Sequence, residues 1–274
     1  MAALDRAQGC LAGQLAGDAL GSLVEFQSAA GIGKIYPDGP RELRAGGTWD
    51  TLAGQPTDDS EMALALARTL AELGRYDEEE AARAYAAWYE SGPFDMGGTT
   101  RAALSAAARA GGVGVAAAAR AAARRESQAN GALMRVSPLG ILGTRWCAAK
   151  VAEWARAEAR LTHPHQNCQD ASAVYAAAIG CAVRTGQERE RVYSQALEWL
   201  GELRVGEEVR GWVEEAATKA PGDYDGSKQG WVRIALQNAF YQLVHTDSVE
   251  EAVVETVRRG GDTDTNGAIA GALA

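Results

Sequence analysis

Cysteine and histidine are scarce in this sequence. Its 274 residues include only four cysteines and three histidines, and no two cysteines have the CxxC spacing of zinc and redox sites. A disulfide-built domain and a thiolate metal site are therefore disfavoured, and we expect reduced thiols in a cytoplasmic protein. The cysteines are Cys10, Cys147, Cys168 and Cys181.

Net positive charge and long apolar segments are also lacking. The formal net charge is -9 and the pI is near 5.0, which disfavours nucleic acids and anionic membranes as partners. No run of about twenty apolar residues could cross a bilayer. Gln14 and Asp18 interrupt the small-residue stretch near the N-terminus, so we expect no signal peptide. A small phosphorylated ligand remains compatible with this charge, because bound metal ions can reverse the local field.

Aromatic residues make up 7 % of the sequence, although hydrophobic residues reach 47 %. Much of this content is alanine, which indicates closely packed helices rather than a core of bulky rings. Strand-like alternation is nearly absent, no repeat is apparent, and no stretch has the composition of a linker. The sequence therefore predicts one all-α domain over residues 1–274.

Helical periodicity recurs along the chain, as in residues 60–73, where four apolar side chains share one face. Residues 31–50 are the only long stretch that we predict to be irregular. Further helices are expected to begin near residues 77, 248 and 265. The remaining predicted helices cover residues 99–109, 113–127, 146–161, 167–185, 188–203, 207–218 and 231–244.

Two acidic clusters lie about two hundred residues apart, TDDS at residues 57–60 and GDTDT at residues 261–265. Each cluster alone is better explained by helix capping, since Asp and Thr are common N-cap residues and first-turn acids complement the helix dipole. Residues 58–61 even have the outline of a capping box. Together, however, the clusters contain more oxygen than two helix ends require. Four carboxylates with adjacent hydroxyls suit Mg²⁺, Mn²⁺ or Ca²⁺, which favours a metal-dependent hydrolase if the fold brings them together.

Three kinds of all-α metal enzyme can be compared with these clusters. An isoprenoid synthase would carry Asp-Asp-x-x-Asp on a helix, but Met62 occupies the fifth position here. A phosphohydrolase of the His-Asp type needs histidine beside aspartate, and none of the three histidines is followed by Asp. The third kind matches far more of the sequence.

Six segments, in order along the chain, resemble those of the ADP-ribosylglycohydrolase family. The segments are GCLAG with GDALG and EF within residues 9–26, PTDDS at 56–60, DMGGTT at 95–100, NGALMR with Pro138 within 130–138, LTHPH at 161–165 and GGDTDTN at 260–266. Because they cover nearly the whole chain in family order, the resemblance is specific.

The resemblance implies a compact orthogonal helical domain with a dinuclear site for Mg²⁺ or Mn²⁺ at its centre. It implies hydrolysis of the glycosidic bond between ADP-ribose and an acceptor, such as a protein arginine or a small molecule. By motif position, the metal ligands are Thr57, Asp58, Asp59, Asp262, Asp264 and Thr265. Two such ions can share a bridging carboxylate and activate water.

The same resemblance gives roles to residues that have simpler explanations when taken alone. Glu25 could be a solvated helix end, but family position puts it over the metals as a base, with Asp59 and Asp95 as the other catalytic residues. Residues 97–100 could be a loop and a cap, or an anion site at a helix N-terminus. The implied substrate-binding residues are Gly97, Gly98, Thr99, Thr100, Asn130, Gly131, Met134 and His163.

His163 and His165 are not needed as metal ligands, because the set above is complete without them. We expect Trp49 and Trp231 in the core or at the pocket rim, with stacking on adenine as a weaker alternative. Trp231 stands where the family pattern has Tyr, and the sequence ends ten residues after Asp264, so we expect an altered pocket wall and a short last helix.

The expected partner is an ADP-ribose-containing substrate, which includes ADP-ribosylated proteins, and we expect a monomer. The alternative to an enzyme is an ADP-ribose-binding module of the same fold with weak or no catalysis. Loss of a carboxylate from either cluster would favour that alternative, and all four are present. The acceptor depends on loop shape and is not predicted by the sequence.

Overall fold

The protein is built from helices. In a computed structural model that describes residues 2–222 and 224–274, fourteen α-helices and two short 3-10 helices follow one another, and those residues contain isolated β-bridges but no strand. The all-α prediction is confirmed. The α-helices are α1 (Ala3–Gly21), α2 (Ala29–Ile35), α3 (Asp58–Leu73), α4 (Glu78–Glu90), α5 (Gly98–Ala110), α6 (Val115–Ala122), α7 (Ser137–Leu142), α8 (Ala148–Ala159), α9 (Gln166–Thr185), α10 (Arg189–Glu202), α11 (Glu207–Glu215), α12 (Val232–His245), α13 (Val249–Val257) and α14 (Thr263–Leu273); the 3-10 helices are Leu133–Arg135 and Gly143–Arg145.

Most predicted helices lie within a few residues of the observed ones, but two predicted segments are wrong in part. The stretch 31–50 is not wholly irregular, because α2 extends into it and is capped by the Ser28 hydroxyl, which accepts from the Gly31 N–H at 3.1 Å. The helix predicted over 113–127 ends at Ala122, since residues 128–130 pair with residues 230–232 instead. Helix α7 was not predicted at all.

Helix α9 forms the centre of the core. Of its 20 residues, 16 are buried, so it is covered on nearly every side, as expected of a central helix. It contacts α1, α7, α8, α10 and α12. A second, smaller apolar cluster joins the end of α1 to α2 and α13 and supports the chain that follows α1.

Helices α1 and α14 pack at unusually short range. A methyl group at Gly17 would lie 2.1 Å from the carbonyl oxygen of Gly267, and one at Gly13 would lie 2.1 Å from that of Gly271. Only glycine allows the two backbones to approach this closely. The contact fixes the C-terminal half of α1 beside the first turn of α14, where the second acidic cluster lies. Among the described residues, no helix is long and apolar enough to cross a membrane.

Candidate functional site

The first acidic cluster begins α3, and a side chain of α1 caps that helix. Thr57 occupies the N-cap position, but its side chain makes no capping bond. Instead the carboxylate of Asp18 accepts from the backbone N–H groups of Thr57 and Ser60, each at 3.0 Å, and from the Thr57 hydroxyl at 2.9 Å. The capping explanation is therefore wrong for Asp58 and Asp59, whose carboxylates are not used at the helix end.

Two glycines allow the sharp turn that positions the second acidic cluster. Gly260 and Gly261 have φ values of 79° and 80°, and a methyl group at Gly261 would lie 1.7 Å from the Tyr224 carbonyl oxygen. The chain can therefore turn sharply into α14 only with glycine there. Asp262 holds the N-cap position without a capping bond and accepts instead from the Asn130 amide at 2.7 Å. The capping explanation fails for this side chain too.

The fold brings oxygen atoms of both clusters together. The hydroxyl oxygens of Thr57 and Thr265 lie 3.1 and 3.3 Å from Oδ2 of Asp59. The second carboxylate oxygen of Asp59 is buried and has no hydrogen-bond partner within the described residues. A hard cation would satisfy such an oxygen.

Glu25 joins the second cluster. Carboxylate oxygens of Glu25, Asp262 and Asp264 lie within 4.8 Å of one another. Glu25 follows α1 in the loop supported by the small apolar cluster, and the Trp49 indole N–H donates to its Oε2 at 2.5 Å. The carboxylate is thus held beside the second cluster, within reach of whatever binds there.

The electrostatics of this region are those of crowded, buried acids. Burial, followed by the charges of Asp262 and Asp95, raises the pKa of Glu25 to about 8. Burial and neighbouring carboxylates raise the pKa of Asp59 and of Asp264 well above the ordinary value. The cluster is therefore costly to ionise unless protons or cations neutralise it. Crowded carboxylates, adjacent hydroxyls and an unpartnered buried oxygen fit one or more hard divalent cations.

A cavity of about 260 Å³ opens above the acidic residues. All eight predicted substrate-binding residues line it, together with Glu25, Asp95 and four of the six predicted metal ligands; Thr57 and Asp59 lie behind its wall. The residues that sequence reasoning missed are Phe26, Ala129, Gln229 and Gly230. Only Phe26 could have been suspected from the sequence, because it directly follows Glu25.

One wall of the cavity is the N-terminus of α5. Gly97 is the N-cap residue, and no side chain caps the helix. Gly98, Thr99 and Thr100 therefore present first-turn backbone to the cavity, with the positive end of the helix dipole directed at it. Oδ2 of Asp58 accepts from the Gly97 N–H at 3.4 Å, which links this wall to the acidic floor.

Of the remaining aromatic and histidine residues, some lie at or near the cavity and others support the surrounding helices. Trp49 lies beside Phe94 with ring centroids 6.2 Å apart, next to Glu25. Trp231 is not among the residues that line the main cavity, whereas its neighbour Gly230 is. His163 lines the cavity, whereas the His165 ring caps α9 by accepting from the Asn167 N–H at 3.2 Å.

An all-α fold that brings buried carboxylates from two distant segments to one cavity is typical of helical hydrolases that use divalent cations. The family model for ADP-ribosylglycohydrolase matches residues 1–274, so the chain belongs to the ADP-ribosylglycohydrolase family. The resemblance seen in the motifs is confirmed, and the chain is an enzyme of the glycosidase type rather than only a binding module.

Relatives with established names cover nearly the whole chain. It is 33 % identical over 272 residues to the ADP-ribosyl-[dinitrogen reductase] glycohydrolase of Rhodospirillum rubrum, covering 98 % of this chain and 84 % of that one. It is 27 % identical over 280 residues to the ADP-ribosylarginine hydrolase Tri1 of Pseudomonas putida (strain GB-1), covering 99 % and 70 %. A solved structure described as an ADP-ribosylglycohydrolase-related protein complex superposes with a TM-score of 0.80 at 30 % identity, covering 99 % of this chain and 87 % of that one.

Proposed function

We propose that this enzyme hydrolyses the glycosidic bond between ADP-ribose and an arginine side chain, using two divalent cations, Mg²⁺ or Mn²⁺. The observation that carries the proposal is the single cavity in which the oxygens of Glu25, Asp262 and Asp264 lie beside the uncapped N-terminus of α5. One side of the cavity suits cations and ribose hydroxyls, and the other suits a diphosphate. The names of the relatives from Rhodospirillum and Pseudomonas support this substrate class.

The metal ligands in this proposal are the six residues of the two clusters. They are Thr57, Asp58, Asp59, Asp262, Asp264 and Thr265. When bound, divalent cations act as Lewis acids toward ligand oxygens and offset the repulsion among the carboxylates. Asp59 is the residue best suited to join the two clusters, because its Oδ2 already contacts hydroxyls from both of them.

The diphosphate is proposed to bind at the first turn of α5. Backbone N–H groups of Gly98, Thr99 and Thr100 are free of side-chain caps, and a helix N-terminus attracts anions. A methyl group built at Gly98 would have no atom within 4 Å, so the space in front of this residue is open to a ligand.

The distal ribose is proposed to lie over the acidic floor, with Glu25 and Asp95 beside the bond to be broken. Burial, followed by the charge of Asp262, raises the pKa of Asp95 to about 6. A carboxyl group with a raised pKa is suited to take up a proton near neutral pH. Glu25, which would be ionised once cations offset the crowded negative charge, is proposed to orient the attacking water and accept its proton. Asp95 in its protonated form is proposed to donate a proton to the arginine nitrogen as the bond between carbon and that nitrogen breaks.

An arginine acceptor is favoured by the rim of the cavity. Phe26 is 54 % exposed and lines the cavity with Glu25, and Phe94 is 42 % exposed and packs beside Trp49, which donates to Glu25. Aromatic faces next to acids suit a planar guanidinium cation, which stacks on rings and pairs with carboxylates. A neutral serine-linked acceptor would use neither feature.

The test is release of ADP-ribose from an arginine-linked and a serine-linked ADP-ribosyl peptide, followed by liquid chromatography, with Mg²⁺, with Mn²⁺ and with EDTA. We expect turnover of the arginine-linked peptide that requires a cation and falls by orders of magnitude in Asp59→Asn and Asp264→Asn. Asp38→Asn, an exposed aspartate away from the cavity, is the charge-matched control and should remain active. Full turnover in EDTA would overturn the metal mechanism, and preference for the serine-linked peptide would overturn the acceptor assignment.

A further inference from the structure

A buried ion pair lies behind the cavity wall and has no part in the mechanism above. Nε of Arg135 donates to Oε1 of Glu158 at 2.6 Å, and both side chains are fully buried. The Tyr85 hydroxyl donates to the same oxygen at 2.8 Å. Removing two charges from water costs free energy, so a buried ion pair adds little stability by itself. Its role here is better explained by the neighbouring groups that it orients.

The remaining donors of Arg135 point toward the cavity wall. Nη1 donates to the Gly131 carbonyl oxygen at 3.0 Å, and Nη2 donates to the Thr162 hydroxyl oxygen at 2.9 Å. A guanidinium group has donors only, so Thr162 must act as the acceptor in that contact. The proton of the Thr162 hydroxyl therefore points to a different partner.

That partner is the ring of His163. Oγ1 of Thr162 lies 2.7 Å from Nδ1 of His163, and within residues 2–222 and 224–274 the hydroxyl has no other acceptor. Thr162 is fully buried, so an unused O–H donor there would cost free energy. The hydroxyl consequently donates to Nδ1, which must carry no proton.

The protonation state of His163 completes the assignment. Burial, and then the charge of Arg135, lowers its pKa to about 3, so the ring is neutral at physiological pH. A neutral ring that accepts at Nδ1 carries its single proton on Nε2. The ring lines the cavity, and Nε2 has no partner among the described residues.

We propose that Thr162, oriented by the Arg135–Glu158 pair, fixes His163 in the Nε2–H tautomer, so that the ring presents a hydrogen-bond donor to an oxygen of the bound ligand. Thr162 is a positioning residue, because it acts through His163. The identity of the ligand rests on the proposed function, whereas the tautomer does not. With its proton on Nε2, the His163 ring cannot accept a hydrogen bond from an N–H or O–H group of the ligand. It can therefore pair only with a ligand atom that accepts a hydrogen bond.

The first test reads the tautomer in the wild-type protein without ligand. Long-range ¹H–¹⁵N correlation spectra of a histidine-labelled sample distinguish the protonated ring nitrogen from the bare one, because Nε2 couples to both ring carbon protons and Nδ1 mainly to one. The signals of His163 are assigned as those that disappear in His163→Asn. A protonated Nε2 and a bare Nδ1 are expected, and a protonated Nδ1 would overturn the proposal.

The second test asks whether Thr162 sets that tautomer. Thr162→Val has nearly the same shape but no hydroxyl, and Thr162→Ser keeps the hydroxyl as the matched control. We expect the two ¹⁵N shifts of His163 to move toward each other in the valine variant, as the Nδ1–H form becomes populated, and to stay unchanged in the serine variant. Unchanged shifts in a folded valine variant would overturn the role of Thr162.

The third test measures affinity for ADP-ribose by calorimetry in the presence of Mg²⁺. Loss of one hydrogen bond should weaken binding by about tenfold in Thr162→Val, and Thr162→Ser should bind as the wild type does. Equal affinity of the valine variant and the wild type would overturn donation to the ligand. If the wild type bound no ADP-ribose, the proposed function would fail while the tautomer assignment would stand on the spectra.

Discussion

Asp18 on α1 holds Thr57 by two bonds to the same carboxylate oxygen, one from the backbone N–H at 3.0 Å and one from the hydroxyl at 2.9 Å. The first acidic cluster thus depends on a residue that lies about forty positions earlier in the chain. Because this carboxylate replaces the usual N-cap side chain, the side chains of Asp58 and Asp59 remain available to a ligand.

We expect Asp18→Asn to lower both stability and cation affinity. The amide group would place N–H donors opposite the backbone N–H of Ser60 or Thr57, leaving a buried donor unsatisfied at a cost of roughly 1–3 kcal/mol. Thermal unfolding by circular dichroism and Mn²⁺ titration by calorimetry would measure the two effects. Asp5→Asn, on the exposed first turn of the same helix, is the control; equal melting temperatures for the two variants would contradict the role of Asp18.

Gly17→Ala should destabilise the protein strongly. The added methyl group would meet the Gly267 carbonyl oxygen at 2.1 Å, so α1 and α14 would have to separate, at a typical overpacking cost of about 1–3 kcal/mol or more. Gly9→Ala on the same helix is the matched control, because a methyl group there meets nothing within 4 Å and alanine favours a helix by up to about 1 kcal/mol. Opposite shifts in denaturant midpoint are expected, and a shift of the same sign in both variants would count against close packing.

The local motifs of the site could be predicted from the sequence, whereas its long-range partners could not. Residues 97–100 and both acidic clusters carry their chemistry in a few adjacent positions, and each lies in or beside the cavity. The role of Asp18 had no such signal, since an aspartate within a helix does not reveal which distant N–H groups it will meet. The pairing of Arg135 with Glu158 was missed for the same reason. Helix α2 was missed because its seven residues include two glycines and are too few for periodicity to be visible.

Stability of the metal-free protein should fall as the pH rises from about 4 to about 8. Burial raises the pKa of Asp18 to about 6, and burial followed by the charges of Asp262 and Asp95 raises the pKa of Glu25 to about 8. The folded state therefore binds more protons than the unfolded state in this range. Unfolding then becomes more favourable with each proton lost. Melting temperatures measured in EDTA between pH 5 and pH 8 would test this expectation.

Added Mg²⁺ should stabilise the protein more at pH 8 than at pH 5, because protons compete with the cation for the same carboxylates. Asp264→Asn removes one of those carboxylates and should reduce the gain at pH 8. A Mg²⁺-induced shift in melting temperature that does not depend on pH would contradict cation binding at the acidic cluster.

Gly98→Leu should weaken binding of ADP-ribose without unfolding the protein. A methyl group at Gly98 meets no atom within 4 Å, so a larger side chain would project into the cavity and obstruct the N-terminus of α5. We expect KM to rise by about tenfold or more, with a much smaller change in melting temperature. Gly201→Leu, at another helical glycine with open space and far from the cavity, is the control. Unchanged KM in Gly98→Leu would show that the diphosphate binds elsewhere.

The variant Glu25→Gln distinguishes two possible roles of the Glu25 carboxylate, as a metal ligand or as the base that accepts a proton from water. Glu25 lies within 4.8 Å of oxygens of Asp262 and Asp264, close enough to bind a cation with them, and it also faces the cavity where water would attack. If it accepts the proton of that water, the variant should keep its affinity for Mn²⁺ and ADP-ribose while kcat falls by about a hundred- to ten-thousand-fold. Calorimetry with each ligand and single-turnover kinetics on an ADP-ribosyl-arginine peptide would measure these quantities.

Trp49→Phe provides the matched comparison for Glu25, since it removes only the N–H that donates to Oε2 at 2.5 Å and keeps the aromatic face beside Phe94. We expect this variant to retain both ligand affinities and to lose a smaller part of kcat, because the carboxylate remains but is less firmly oriented. Loss of Mn²⁺ binding in Glu25→Gln would make Glu25 a metal ligand rather than a base. Full activity of Glu25→Gln would exclude both roles and leave Asp95 as the candidate proton acceptor.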